Sequence, residues 1–169
     1  MSQFLISLRS DPECEWLHSG SGRNGTLLTQ TLRNKATLKR DRPAVIVTST
    51  SWTEDEDIGL LLDAATILDS TSSVKITFII TGKGPMKELY LAKISKMHLV
   101  KVSIETIWLT AEDYPRLLGS ADIGVSLHTS SSKVDLPMKV VDMFGCGLPV
   151  CSVDYDWCVN YFLFAITVR

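Results

Sequence analysis

Residues 44–84 read AVIVTSTSWTEDEDIGLLLDAATILDSTSSVKITFIITGKG, a strand, a helix and a second strand in succession. Ala44–Thr48 (AVIVT) is a β-branched apolar run suited to a strand buried on both faces. Thr53 and Glu56 stand three apart, the spacing of a reciprocal capping box that satisfies two amides at a helix start. Acidic Glu54, Asp55, Glu56 and Asp57 fill the first turn, where the helix dipole favours them, and Ile58, Leu61, Leu62, Ala65 and Leu68 share one side. Val74–Thr81 (VKITFIIT) is the second strand, closed by Gly82-Lys83-Gly84-Pro85.

The same alternation continues downstream. Pro85 is placed at the start of a helix whose apolar stripe is Met86, Leu89, Tyr90 and Ile94. Val100–Leu109 holds a third strand, and Thr110 with Asp113 repeats the cap-plus-acid pattern before a helix that Pro115 distorts. Ala121–Leu127 is the fourth strand. Pro137 begins a helix through Phe144, Gly145 and Gly147 end it, and Pro149–Val153 is the fifth strand. Strands alternating with helices of this length predict an α/β fold, a doubly wound Rossmann-like parallel sheet with helices on both faces and right-handed crossovers.

Upstream, residues 1–43 carry Ser, Gly, Asn, Thr and charge without a sustained period. They read as a loosely ordered arm with a short helix near Leu27–Lys35, stopped by Arg42-Pro43. That segment has 7 basic and 4 acidic groups (+3), against 10 and 15 (−5) in residues 44–169. The division expected is an arm over 1–43, a domain over 44–157 and an apolar tail over 158–169. The opening MSQFLISLRSD lacks the basic region of a secretory signal, and the ten apolar residues Val159–Val168 fall short of a bilayer span.

Composition excludes several classes. A chain of 169 residues, 45% hydrophobic and 21% charged, is ordinary for one globular domain. A net charge of −2 lacks the basic surplus of a dedicated nucleic-acid binder. Cys14, Cys146, Cys151 and Cys158 form no CxxC pair and read as free thiols in a reducing compartment. His18, His98 and His128 are each isolated from metal-ligand spacing. Asp55-Glu56-Asp57 and Asp154-Tyr155-Asp156 have a D-x-D look, the first explained as a charged helix start and the second too sparse to hold a cation.

In an open parallel sheet, ligands settle outside the carboxyl ends of the strands where strand order reverses. That rule selects the loops Ser49–Thr53, Gly82–Pro85, Leu109–Glu112 and His128–Pro137. Gly82 and Gly84 lack the third glycine of a dinucleotide fingerprint, and no Walker A loop is present; they read as a tight turn or as a place of close approach to a ligand. Asp135, Lys139 and Asp142 form the sharper cluster. A carboxylate there accepts the two hydroxyls of a ribose and the lysine neutralises phosphate, or Lys139 and Asp142 are an exposed i,i+3 pair. His128 donates to a phosphate or sugar hydroxyl, or is a structural loop histidine. Trp52 and Trp108 read as packing aromatics or as base-stacking platforms.

Five segments in this order carry a resemblance: Ser51–Asp57 (SWTEDED), Thr81–Pro85 (TGKGP), Ala111–Pro115 (AEDYP), Leu118–Asp122 (LGSAD) and Asp135–Val150 (DLPMKVVDMFGCGLPV). Over residues 42–157 the chain resembles the C-terminal half of the β-1,4-mannosyltransferases that add the first mannose to chitobiosyl-diphosphodolichol. The resemblance implies a GT-B enzyme, two Rossmann-like domains facing a cleft, with the nucleotide-sugar held mainly by the second. It implies transfer of mannose from GDP-mannose with inversion, without an essential bound metal, at the cytosolic face of the endoplasmic reticulum membrane in N-glycan precursor synthesis.

The resemblance also assigns roles. Asp142 stands where relatives hold the donor ribose. The carboxylate that touches the donor sugar falls at Val134, so that role moves one residue on to Asp135. Relatives carry a basic pair after the first strand for the diphosphate; Ser49–Glu54 has none, and Lys139 is the substitute. His128, Thr129 and Ser130 line the sugar-phosphate pocket. A first Rossmann domain supplying the acceptor pocket is expected of the family, so this chain alone is expected to bind GDP-mannose or GDP without catalysing. Lipid-linked chitobiose becomes a partner only if an acceptor domain is supplied, as by association with a full-length glycosyltransferase. The alternative expectation is a non-catalytic GDP-binding or protein-interaction fragment, or an unstable truncated product.

Overall fold

The structure is a computed structural model, and it describes residues 2–8, 11–18, 25–33, 35–129, 137–153 and 166–168. Helix α1 (Ser2–Ser7) and a 3-10 helix (Pro12–His18) lead into a hairpin of β1 (Thr29–Leu32) and β2 (Lys35–Leu38). The repeating part follows: β3 (Ala44–Ser49), α2 (Ile58–Thr71), β4 (Ile76–Thr81), α3 (Lys87–Ile94), β5 (Val102–Ile107), α4 (Tyr114–Leu118), β6 (Ile123–Ser126), α5 (Met138–Gly145), β7 (Val150–Val153) and β8 (Ile166–Val168).

Strands β3 to β8 form one parallel sheet in the spatial order β5-β4-β3-β6-β7-β8. Counted from β3, this is third, second, first, fourth, fifth, sixth, the doubly wound Rossmann order. All six residues of β4 are buried. Phe78 and Ile80 pack with Ile58, Leu61 and Tyr90 on the α2–α3 face, whereas Ile79 packs with Leu117, Val140 and Met143 on the α4–α5 face. The two-residue period of a strand therefore feeds two cores at once.

Four local readings change. Helix α2 begins at Ile58, and its N-cap is Asp57, whose carboxylate accepts from the Gly59 amide at 2.8 Å. Thr53 does not cap it, because the Glu56 side chain that would complete the box turns inward to other partners. The stretch read as a helix near Leu27–Lys35 is an antiparallel hairpin pairing Thr29 with Leu38 and Leu32 with Lys35. It has no apolar stripe at helical spacing, and Arg33 turns the chain at a left-handed φ of 49°. The residues read as a loosely ordered arm also supply core: Phe4, Leu5, Leu8, Cys14 and Leu17 are buried on the α4–α5 face. Burial, with Asp11 and Glu13 nearby, pushes the Cys14 thiol up to about 12, so it stays protonated at neutral pH. Finally, Ile166–Val168 in the tail adds a sixth strand beside β7. Its β-branched residues suit the pairing that an open edge invites.

At the amino-terminal end of the sheet, Asp122 accepts both Arg42 guanidinium nitrogens at 2.6 and 2.7 Å and the Val45 amide at 2.8 Å. The hydrogen-bonded guanidinium holds the Asp122 carboxyl below its ordinary range. This fork ties the start of β3 to the start of β6, so the opposite ends of the same two strands are held in register.

Candidate functional site

Strands β3 and β6 are neighbours, yet β3 leads to a helix on one face and β6 to a helix on the other. Their carboxyl ends therefore diverge and leave a crevice. A cavity of about 260 Å³ occupies it. Ser51, Asp55 and Glu56 line it from the loop after β3, Ser126 and His128 from the end of β6, and Pro137, Met138 and Lys139 from the start of α5.

Glu56 organises the mouth. It is 3% exposed, and its Oε2 accepts from the Thr50 hydroxyl at 2.7 Å and the Ser51 amide at 2.6 Å. Its Oε1 accepts from the Lys139 ammonium, which comes from the other side of the crevice. The loops are also joined along their backbones. Glu56 forms an antiparallel bridge with His128, and the Thr129 amide and hydroxyl donate to the Asp55 carbonyl at 3.1 and 2.8 Å. His128 Nδ1 lies 3.4 Å from the Asp55 carboxylate. The Asp55 carboxyl is held below its ordinary range by the Thr53 hydroxyl first, with His128 and Lys139 adding to it.

The loop after β3 is propped from behind. A Cβ on Gly82 would stand 1.8 Å from the Thr50 carbonyl oxygen, and one on Gly84 1.7 Å from that of Ser51. Gly82 also has φ +139°. These glycines serve the tight turn and the approach of the neighbouring loop's backbone, and neither is among the residues lining the cavity, where the alternative reading put a ligand. Trp52 is fully buried against Tyr90, ring centroids 6.1 Å apart, and its carbonyl accepts from the Met86 amide. It is a packing aromatic. Trp108 is half exposed, with the Lys83 ammonium 4.1 Å from its ring centroid.

The structure brings His128, Thr129 and Lys139 to one mouth. Lys139 pairs across the crevice with Glu56, not along its own helix with Asp142. Asp142 is exposed one turn further along α5, where its charge helps raise the Tyr114 phenol, already lifted by burial. The Tyr114 hydroxyl is 2.7 Å from Ser49 Oγ at the carboxyl end of β3, and Asp142 is not among the residues lining the cavity. Ser130 and Asp135 lie outside the described residues. Sequence reading missed Ser126 and the inward turn of Glu56. Ser126 Oγ is buried without a hydrogen-bond partner among the described residues, and it lines the cavity. A buried hydroxyl in that state is primed for a ligand atom or water.

A doubly wound sheet with a polar mouth at its switch point defines an α/β domain of the class that places its ligands outside the carboxyl ends of the strands. The chain belongs to the glycosyl transferases group 1 family, matched over residues 42–160. It is 53% identical over 151 residues to the UDP-glycosyltransferase TURAN of Arabidopsis thaliana, covering 79% of this chain and 32% of that protein. It is 56% identical over 121 residues to the chitobiosyldiphosphodolichol beta-mannosyltransferase of Homo sapiens, covering 69% of this chain and 26% of that one. The chain thus spans about a quarter to a third of these relatives' length. Among solved structures, the catalytic domain of cholesterol-alpha-glucosyltransferase from Helicobacter pylori superposes with a TM-score of 0.58 at 14% identity, covering 72% of each chain. The pneumococcal O-GlcNAc transferase GtfA in complex with UDP and GlcNAc gives 0.55 at 13% identity, covering 84% of this chain and 27% of that one. The fold is the Rossmann-like domain of a GT-B glycosyltransferase.

Proposed function

We propose that this chain forms the nucleotide-sugar half of a mannosyltransferase site. It holds GDP-mannose at the mouth between β3 and β6, for transfer of mannose to chitobiosyl-diphosphodolichol at the cytosolic face of the endoplasmic reticulum membrane. The observation that supports the reading is the gathering of Lys139, His128 and the unpartnered Ser126 hydroxyl in one cavity at the switch point. The likeness to the human chitobiosyldiphosphodolichol beta-mannosyltransferase supports mannose as the sugar and chitobiosyl-diphosphodolichol as the acceptor.

The roles follow from donor and acceptor capacity. An ammonium has three N–H groups, and Glu56 takes one from Lys139, leaving others for diphosphate oxygens. Ser126 Oγ and His128 supply further hydrogen bonds to phosphate or sugar. Asp142 accepts the ribose hydroxyls one turn along α5, while Thr129 and Gly82 with Gly84 hold the loops that shape the mouth. Ser130 is assigned to the sugar-phosphate and Asp135 to the donor sugar. No essential bound metal is assigned to the donor side. Activation of the acceptor hydroxyl needs a base, and the residues gathered here are assigned to the donor alone. Among the described residues no helix is long and apolar enough to cross a membrane.

Calorimetry with GDP tests the reading. The 169-residue chain should bind GDP, equally with and without EDTA, and Asp142→Ala should weaken binding about tenfold, roughly 1.4 kcal/mol. Equal heats for the two proteins would remove Asp142 from the ribose. Assayed alone with radiolabelled GDP-mannose and chitobiosyl-lipid, the chain should give no turnover; robust transfer without a partner protein would contradict the division of labour.

A further inference from the structure

The donor reading leaves Glu56 without a role, although no side chain at the mouth is more constrained. Its Oε2 is fixed by Thr50 and Ser51, and the loop bearing them is backed by glycines that leave no room for a Cβ. Glu56 is thus tied to its own loop by two hydrogen bonds. Lys139 is the adaptable partner, its side chain 28% exposed on a flexible stem. Any diphosphate that enters must share Lys139 with a carboxylate already bonded to it.

The charge balance sharpens the point. Among the described residues the lining holds one lysine against two carboxylates, Asp55 and Glu56, with His128 beside Asp55. Carboxylates thus outnumber the ammonium at the described mouth, an odd lining for a site that takes an anion. A bare diphosphate would gain little there, because the cation it needs is compensated at contact distance. A nucleoside diphosphate adds ribose and base contacts that do not depend on that cation.

We infer that Glu56 is a specificity-determining residue, an internal counter-ion that competes for Lys139 and makes the site discriminate against phosphate or diphosphate on its own in favour of the whole nucleotide. This rests on the donor-site reading above. A purely architectural Glu56 would hold the loop and nothing more. Its loss would then move affinity for every ligand in step, whereas the counter-ion role moves selectivity.

The test compares Glu56→Gln, which keeps a carbonyl oxygen for Ser51 and Thr50 but removes the charge, with Glu56→Asp, which keeps the charge. Binding of GDP and of inorganic diphosphate is measured for both variants and the parent chain at low and moderate salt, with thermal melts checking that each is folded. In Glu56→Gln, diphosphate should bind about tenfold tighter with a steeper salt dependence, while GDP gains less, so the preference for GDP narrows. Glu56→Asp should keep the parent preference. An unchanged preference in Glu56→Gln, or GDP and diphosphate weakened together, would overturn the role of Glu56. If the parent chain binds no GDP but Glu56→Gln gains diphosphate binding, Glu56 does compete for Lys139, and the selectivity for the nucleotide falls with the donor reading.

Discussion

Ser126 shows what a residue-scale reading of the site commits to. Its hydroxyl is buried at the end of β6 with no partner among the described residues, so it is a stability liability as it stands. Ser126→Ala should therefore leave the fold unharmed or stabilise it by about 1 kcal/mol, while weakening GDP binding several-fold. A loss of thermal stability with unchanged GDP affinity would assign the hydroxyl to the core. Neither Ser126 nor the inward Glu56 was legible in the sequence, for a definite reason. Glu56 has a local explanation as the closing acid of a capping box, three residues after Thr53, and its actual partner Lys139 is 83 positions away. The same blindness paired Lys139 with Asp142. Local spacing sees neighbours on one helix and cannot weigh them against a buried carboxylate arriving from another loop.

Among the elements, the turn after β4 carries a prediction of a different kind. Gly82→Ala places a methyl group 1.8 Å from the Thr50 carbonyl oxygen and forces an L-residue to φ +139°. It should destabilise the protein by more than about 2 kcal/mol, read as a lowered melting midpoint. Because the displaced loop bears Ser51 and Glu56, the variant should also bind GDP more weakly; a full-affinity, full-stability protein would show that the loop does not depend on this contact. Here the sequence was informative. The glycines marked a tight turn, and the strands from β3 to β7 lay where β-branched runs put them. The hairpin was misread because its Thr-rich, stripe-free sequence offers a helix and a strand little to choose between, and pairing across the turn decided it. The sixth strand was hidden for a similar reason, since three residues next to an open edge gain their structure from the edge.

Across the whole molecule, one titration couples to stability. Burial lifts the Glu105 carboxyl on β5 from an ordinary 4.5 to about 7. Below about pH 4.5 the group is protonated in both folded and unfolded chains. As pH rises from there to 7 the unfolded chain releases its proton while the folded one retains it, so stability falls, and the loss is complete above pH 7. Glu105→Gln should melt a few degrees above the parent at pH 8, reflecting about 1 kcal/mol after allowance for its partial exposure, and level with it at pH 4. A gain of the same size at both pH values would point to packing instead. The larger claim concerns which end of the sheet is used. Two polar hollows lie at opposite ends of β3 and β6: the mouth bearing Lys139, and a shallow one bearing Lys39, Arg40 and the Arg42–Asp122 pair. An amide-resolved NMR titration with GDP separates them directly. Shifts concentrated at residues 50–56, 126–129 and 138–142 are predicted, and shifts centred on Lys39, Arg42 and Asp122, or none at millimolar GDP, would contradict the account.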